Sequence, residues 1–217
     1  MNKLSILCGL AMLLNSAANA QTASPTPTAP KEPMQIPSAM AQTYITNYKA
    51  SVLNFFAHGY LLDIAKVKNM SPTAVRVYNG LDKTNQKMVV TPLDAGYNVN
   101  TNAPSFMTTD QRLCPKVCDI VSMEEDRAVS GAQIGNMVNT CMECRKYETV
   151  NAVTIFTSTL NALAAAGFRY VRIYNGQDAS ARRYVIYVPV DAAGKEVMLE
   201  NLYAGDNTSV LSNCKYP

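Results

Sequence analysis

The sequence predicts an α+β fold in which tandem helix–strand–strand repeats pair into a four-stranded antiparallel sheet with two long helices on one face. The first observation is a repeat: residues 75–82 read VRVYNGLD and residues 171–178 read VRIYNGQD, with six of eight positions identical. The second is that the match resumes downstream, where residues 91–94 read TPLD and residues 188–191 read VPVD. The third is that each copy follows a stretch whose apolar residues have helical spacing. A repeat of this length indicates two copies of one structural unit.

The first 37 residues predict export and a tether. Lys3, an apolar core over residues 4–14 and Ala18-Asn19-Ala20 form the pattern of a signal peptide spanning residues 1–20. The apolar core is shorter than the roughly 20 residues that a membrane span needs. Residues 21–37 hold five prolines among Thr, Ser and Ala, and such a chain is stiff and extended. We therefore expect a secreted or periplasmic protein on a Pro-rich tether, without a membrane span.

The first predicted unit covers residues 38–118. Ser38 can cap a helix, and apolar residues at helical spacing continue to about residue 68. Alternation of apolar and polar residues over 74–79 and 88–93 then predicts a β-hairpin. The unit therefore reads helix–strand–strand.

The second predicted unit covers residues 140–217 and repeats this order. A capping-box pattern, Thr-x-x-Glu, opens a helix predicted over 140–166, and strands are predicted over 170–175 and 184–190. The offset between the copies grows from 96 to 97, so the second hairpin loop should be one residue longer. We expect the two units to form one pseudo-symmetric domain.

A connector, residues 119–139, separates the two units. Ser122 and Glu125 form a further capping-box pattern, which predicts a short helix over residues 123–138. Two glycines within that stretch weaken the helical pattern.

The composition excludes several classes of function. The chain carries 19 basic and 16 acidic side chains, a net charge of +3, without a dense basic stripe. That balance gives no reason to expect nucleic acid or an anionic membrane as partner. His58 is the single histidine, so a histidine-based metal site is not expected, and no Gly-rich phosphate loop is present. We expect neither a metal nor a cofactor.

Five cysteines lie beyond the signal segment, and three interpretations of them stay open. They are Cys114, Cys118, Cys141, Cys144 and Cys214. Disulfide bridges are the favoured interpretation, because an exported chain meets oxidising conditions. A zinc site is the second, since C-x3-C followed by C-x2-C resembles structural zinc spacing. Thiol–disulfide exchange by Cys141 and Cys144 is the third, because a helix N-terminus stabilises a thiolate.

The repeated polar residues supply the candidate binding residues Arg76, Tyr78, Arg172 and Tyr174. Residues two apart in a strand share a face, so these side chains lie opposite the Val and Ile side chains. If the apolar face meets the helices, the Arg and Tyr side chains form a binding face, rich in residue types of interaction hot spots. The favoured alternative is structural: Asn-Gly-x-Asp shapes the turn, and Arg pairs with Asp across the hairpin.

The stretch from VRVYNGLD through LCPKVC resembles uncharacterised secreted bacterial proteins in which a helix and a hairpin precede a Cys-Pro-x-x-x-Cys-like end. The resemblance implies no catalytic residues. We expect a non-enzymatic binding or assembly module of the cell envelope that presents a sheet face to a protein or glycan partner. A thiol–disulfide oxidoreductase using Cys141 and Cys144 and a zinc-stabilised scaffold stay open as alternatives.

Overall fold

The chain forms twelve strands and four α-helices over the residues that the structure describes. The computed structural model describes residues 29–51, 59–82, 85–107, 113–114, 127–143 and 152–211. The strands are β1 (Met34–Pro37), β2 (Gly59–Asp63), β3 (Ala74–Asp82), β4 (Asn85–Pro92), β5 (Ser105–Met107), β6 (Leu113–Cys114), β7 (Arg127–Val129), β8 (Ala152–Phe156), β9 (Tyr170–Gln177), β10 (Arg183–Val190), β11 (Asn201–Gly205) and β12 (Val210–Leu211). The helices are α1 (Ser38–Ser51), α2 (Ile64–Lys68), α3 (Gly131–Glu143) and α4 (Thr157–Ala165).

The described strands form two antiparallel sheets of six strands each. Sheet A has the order β1-β11-β10-β9-β2-β6, and sheet B has the order β12-β8-β3-β4-β5-β7. The predicted α+β class is therefore confirmed. The predicted arrangement is not: the two hairpins lie in different sheets instead of sharing one four-stranded sheet. The sequence pattern signals only the four hairpin strands, whereas β2, β8 and the short edge strands complete the sheets.

Strands β2 and β8 are exchanged between the two hairpins. β2 precedes hairpin β3–β4 in the chain, yet it pairs with β9 of the other hairpin, where Tyr60 faces Ile173. β8 precedes hairpin β9–β10 but pairs with β3, where Val153 faces Val77. We call β1–β6 and their helices the N-terminal half, and β7–β12 and theirs the C-terminal half. Each sheet thus contains three strands from each half.

The strand pairing of one half recurs in the other at nearly constant offsets. In register, β7, α3 and β8 lie 93 residues after β1, α1 and β2. β9 lies 96 residues after β3, whereas β10, β11 and β12 lie 97 after β4, β5 and β6. The increase in offset from 93 to 96 falls between β8 and β9, where α4 has nine residues and the equivalent helix α2 has five. The increase from 96 to 97 falls in the β9–β10 loop, where the sequence predicts it.

The two predicted long helices are wrong, because a strand interrupts each one. The first, over residues 38–68, contains β2 between α1 and α2, and the second, over 140–166, contains β8 before α4. A strand buried on both faces reads as a continuous apolar run, which sequence periodicity does not separate from a buried helix. Four of the five β2 residues and all five β8 residues are buried.

Helix α3 also begins and ends at other places than the capping patterns predict. Its first turn is capped by Ser130 and Gln133, whose side chains bond to each other's backbone amides at 3.0 and 3.4 Å. Thr140 and Glu143 lie in the last turn of α3, where no helix begins. The pair Ser122 and Glu125 lies outside the described residues, and the predicted connector contains β7 and most of α3.

The core lies between the two sheets, and α1 and α3 close their outer faces. Apolar side chains of both sheets and of α2 and α4 form one buried cluster, to which Val77 and Ile173 belong. Helix α1 packs on the outer face of sheet A through Ala41 and Ile45. Helix α3 packs on the outer face of sheet B through Ile134 and Val138. The result is a four-layer arrangement in which both sheets are covered on both faces.

The Asn-Gly pairs lie inside strands and do not form the hairpin turns. Asn79 faces Met88 in the β3–β4 pair, and Asn175 faces Val185 in the β9–β10 pair. A Cβ on Gly80 would lie 3.2 Å from Met137 of α3, and one on Gly176 would lie 3.1 Å from Tyr44 of α1. These glycines therefore allow a helix to approach the strand closely. The hairpins themselves, β3–β4 and β9–β10, are confirmed.

No helix among the described residues is long and apolar enough to cross a membrane. The signal-peptide pattern and the first part of the Pro-rich segment, residues 1–28, lie outside the described residues.

We predict that neither half folds as a monomer by itself, because β2 and β8 each pair with a hairpin of the other half. A fragment ending at residue 126 should show no cooperative thermal unfolding, and neither should one beginning at residue 127. Mixing the two should restore the circular dichroism spectrum of the whole chain. A half that is folded and monomeric by sedimentation would contradict the exchange.

Candidate binding surface

Arg76 and Arg172 each hold the loop that follows the hairpin of their own half. Arg76 Nη2 donates to the carbonyl oxygen of Tyr97 at 3.1 Å, and Arg172 Nη2 donates to that of Gly194 at 3.1 Å. The two acceptors are 97 residues apart, the offset of the strands that precede them. Both arginine side chains are half-buried on the outer faces of their sheets. A charged donor on a backbone carbonyl stabilises the loop conformation.

The same two loops are shaped by an aspartate at the end of each hairpin. Asp94 Oδ1 accepts from the amides of Gly96 and Asn98, at 2.8 and 2.9 Å. Asp191 Oδ1 accepts from the equivalent amides, two and four residues further on, at 2.9 and 2.8 Å. Tyr97 and Gly194 hold the same left-handed position, with φ of 62° and 82°. The repeated Arg and Asp residues therefore define one loop geometry twice.

Tyr78 and Tyr174 do not line an open face, which corrects the predicted binding face. Tyr78 is fully buried beneath α3, and Tyr174 is 8% exposed beneath α1. The Val and Ile side chains of these strands face the opposite sheet, as period two requires, so the helices cover the Arg and Tyr side. A partner cannot reach either tyrosine while α1 and α3 are in place.

Glu196 joins Arg172 and Tyr174 into one network. Glu196 Oε1 lies 3.0 Å from Arg172 Nη1 and accepts a hydrogen bond from the Tyr174 hydroxyl at 2.5 Å. Burial raises the pKa of the Tyr174 phenol, and the hydrogen bond and charge of Glu196 raise it further. The phenol therefore stays protonated and donates to Glu196. Lys49 Nζ of α1 lies 5.1 Å from the Tyr174 ring centroid, which adds a cation–π contact.

Asp178 organises the β9–β10 loop. Its carboxylate accepts from the Ser180 and Arg182 amides at 2.9 Å, from Arg182 Nε at 2.8 Å and from the Tyr184 hydroxyl at 3.2 Å. Burial acts to raise the pKa of Asp178, but these hydrogen bonds outweigh it and hold the pKa below its ordinary value of 3.8. Arg182 is therefore the ion-pair partner of Asp178 in this loop, whereas the repeated Arg172, expected to pair with an Asp across the hairpin, pairs with Glu196.

The cysteines give the oxidoreductase interpretation no support. Cys141 lies in the last turn of α3. The thiol–disulfide exchange interpretation needs Cys141 at a helix N-terminus, where the helix dipole stabilises a thiolate. Cys114 is the last residue of β6, opposite Gly59. The other candidates, Cys118, Cys144 and Cys214, lie outside the described residues, as does His58. Among the residues described, no group of three or more His, Cys, Asp and Glu is placed to hold a metal.

One edge of sheet A exposes three methionines that the sequence analysis does not single out. Met34 is 60% exposed in the edge strand β1, Met40 is 43% exposed in the first turn of α1, and Met198 is 44% exposed just before β11. Ser38 lies between the last two, since its hydroxyl donates to the carbonyl of Leu199. We call these three residues the methionine edge. They are the exposed large apolar side chains of the described chain.

The equivalent edge of sheet B is polar. From the strand and loop registers, the counterparts of Met34, Met40 and Met198 are Arg127, Gln133 and Thr101. All three counterparts are exposed. The two edges therefore share a backbone arrangement and differ in surface chemistry. No sequence signal marks the methionines, because the octapeptide repeat does not extend into β1 and β7 and exposure follows from the sheet order.

The chain is thus a two-sheet α+β protein with exchanged strands, helix-covered outer faces and one methionine-bearing edge. No protein-family model matches it, no curated protein is significantly similar in sequence, and no solved structure matches its fold.

We predict that Arg172→Ala lowers the free energy of unfolding by about 1–3 kcal/mol, because Glu196 and the Gly194 carbonyl lose a charged donor. Urea unfolding followed by circular dichroism measures this. Arg169→Ala is the control, since the Arg169 side chain is 68% exposed and its change should cost about 0.5 kcal/mol or less. Equal stability of Arg172→Ala and the wild type would refute the loop-holding role.

We predict that Asp178→Asn lowers the melting temperature at pH 7 and that the difference from the wild type shrinks in acid. A carboxylate whose pKa is lowered on folding stabilises the protein above its unfolded pKa, about 4, and loses this effect as protonation proceeds below it. Melting temperatures of both proteins between pH 7 and pH 2 test this. A difference that stays constant across the range would contradict it.

Proposed function

We propose that this chain is an exported, non-enzymatic binding or assembly module of the cell envelope that contacts a protein partner. The signal-peptide pattern over residues 1–20 and the Pro-rich segment that follows support export on a tether. Charge gives no support for nucleic acid, because 19 basic side chains nearly balance 16 acidic ones. The methionine edge is the observation that carries the choice of a protein partner.

We further propose that the two halves descend from one duplicated unit. The recurring registers support this, and so do the two loops in which Arg, Asp and a left-handed residue recur at matched positions. In this view each repeat spans a strand, a helix and the strands that follow, from β1 to β6 and from β7 to β12.

Duplication makes the methionine edge informative. Two edges that began alike now differ at three exposed positions, and one of them has become apolar. Met40 and Met198 lie on either side of Ser38, and Met34 lies further along β1. Exposed apolar side chains that follow one edge favour an interaction surface, and methionine adapts its shape to a partner. No aromatic ring in the described part of the chain is as exposed as these three methionines. Because sugars bind by stacking on exposed rings, we favour a protein partner over a glycan. We therefore propose the sheet edge as the binding surface, in place of the sheet face expected from the sequence, which α1 and α3 cover.

We predict that a photo-crosslinking amino acid at Ala39, beside Met40, captures a protein partner in the envelope of the source cells. The same group at Ala132, the exposed counterpart in α3, should capture none. The triple change Met34→Arg, Met40→Gln and Met198→Thr should abolish the adduct at position 39, because it replaces the apolar side chains by their polar counterparts.

The matched control is Arg127→Met with Thr101→Met, which should leave the adduct intact. Gln133 is kept because it caps α3. Both multiple variants should melt close to the wild type, since exposed substitutions change stability by about 0.5 kcal/mol or less each. Equal adducts at both positions, or an adduct that survives the triple change, would refute the proposal.

A further inference from the structure

Asn175 is a buried amide to which the described chain offers no hydrogen-bond partner. It lies in β9 on the face turned toward sheet B, opposite Val185 of the central cluster, and it is 1% exposed. Neither its Nδ2 nor its Oδ1 atom has a partner. Buried amides in folded proteins are almost always paired, because an unpaired one is costly, so Asn175 needs a partner from outside the chain.

The equivalent amide of the N-terminal half has a partner within the protein. Asn79 Oδ1 accepts a hydrogen bond from the Tyr60 hydroxyl at 2.5 Å. The strand registers place Val153 at the position equivalent to Tyr60, so the C-terminal half has no hydroxyl there. Valine is also smaller than tyrosine by the phenol ring, so residue 153 does not fill the space that this ring takes in the other half.

Arg183 adds a positive charge to the same sheet face. It is the first residue of β10, opposite Gln177 and diagonal to Asn175, and diagonal neighbours lie about 7–8 Å apart at their Cα atoms, within reach of a long side chain. The Arg183 Cζ lies 5.0 Å from the centroid of the Tyr48 ring. Its Nη1 is enclosed without a hydrogen-bond partner, and Arg183 forms no ion pair among the described residues.

The contact with Tyr48 offsets part of the cost of enclosing the guanidinium, but only an anion neutralises its charge. The registers place Gln86 at the position equivalent to Arg183, so the N-terminal half has no cation there. The C-terminal half thus differs from the other at two positions on this face: it lacks the hydroxyl that satisfies the amide, and it carries a guanidinium beside it.

We propose that Arg183 and Asn175 bind a small carboxylate with a hydroxyl group beside the carboxyl, as in an α-hydroxy acid. The carboxylate accepts from the Arg183 guanidinium and from Asn175 Nδ2, and the hydroxyl donates to Asn175 Oδ1. One negative charge matches one guanidinium, which favours a carboxylate over a phosphate dianion. Arg183 and Gln177 are half-buried, so this end of the face has access to solvent. The inference does not rest on the proposed protein partner.

Side-chain NMR of the isotope-labelled full exported chain tests the site, with glycolate as the probe. Glycolate should shift the resonances of the Asn175 amide and of the Arg183 guanidinium and should saturate them below about 50 mM. Acetate lacks the hydroxyl and should bind about tenfold more weakly, because Asn175 Oδ1 then stays unpaired. Inorganic phosphate should also bind more weakly than glycolate. Tighter binding of phosphate, or equal binding of acetate and glycolate, would overturn the proposed ligand class.

Arg183→Gln introduces the residue of the other half and should weaken glycolate binding at least tenfold, because the charged donor is removed. Arg169→Gln is the matched control: it makes the same change at a side chain that is 68% exposed, and it should bind glycolate like the wild type. The comparison of glycolate with acetate uses the wild type and does not depend on how a variant folds. Resonances of Asn175 and Arg183 that do not move with glycolate, or equal binding by Arg183→Gln and the wild type, would refute the site.

Discussion

The exchange of β2 and β8 between the two hairpins is the constraint on which the rest of the structure depends. Without β2, strand β9 would lose its neighbour on one side, and without β8 the same holds for β3. Both exchanged strands are almost wholly buried, and each lies as an interior strand beside the other half's hairpin. An isolated two-stranded hairpin is marginally stable, and the exchange converts two such hairpins into one shared core.

The exchange also determines where the helices lie. Because β2 and β8 leave for the opposite sheet, the short helices α2 and α4 that follow them contribute to the cluster between the sheets. The longer helices α1 and α3 are left to cover the outer faces, where Gly176 and Gly80 allow close approach. Burial of Tyr174 and Tyr78 follows from this coverage. The Arg172 network with Glu196 then holds the loop at the margin of α1.

The hairpins could be predicted because their signals are local. Alternation over β3 and β9 and the repeated octapeptide specify strands and register, and the offset from 96 to 97 locates the extra loop residue. The exchanged strands could not be predicted in the same way. Tyr60-Leu61-Leu62 and Val153-Thr154-Ile155-Phe156 lie next to true helices, and an apolar run buried on both faces carries no period to distinguish it. Their partner strands lie about 75 to 115 residues away in sequence, too far for local patterns to identify them.

The candidate site shows the same division between local and distant information. The sequence correctly places Arg172 and Tyr174 on the face opposite Val171 and Ile173, because that follows from strand geometry alone.

What covers that face depends on the path of α1, which the sequence does not specify. In the structure α1 covers Tyr174, so this side chain is not accessible to a partner. The methionine edge needs the sheet order as well, since the sequence does not show that β1, which carries Met34, is the edge strand of sheet A.

Under the proposed duplication, each half serves as a reference for the other. Positions that both halves keep, such as the loop arginines and aspartates, serve the architecture that both halves share. Equivalent exposed positions at which the two halves differ, such as Met34 and Arg127, are not fixed by that shared architecture. Apolar side chains at such positions lower solubility unless a partner covers them, so Met34 and its neighbours persist against a cost that Arg127 and its neighbours do not carry. The prolines that flank β1 oppose indiscriminate strand pairing, and they leave the side chains of the edge accessible for the proposed contact.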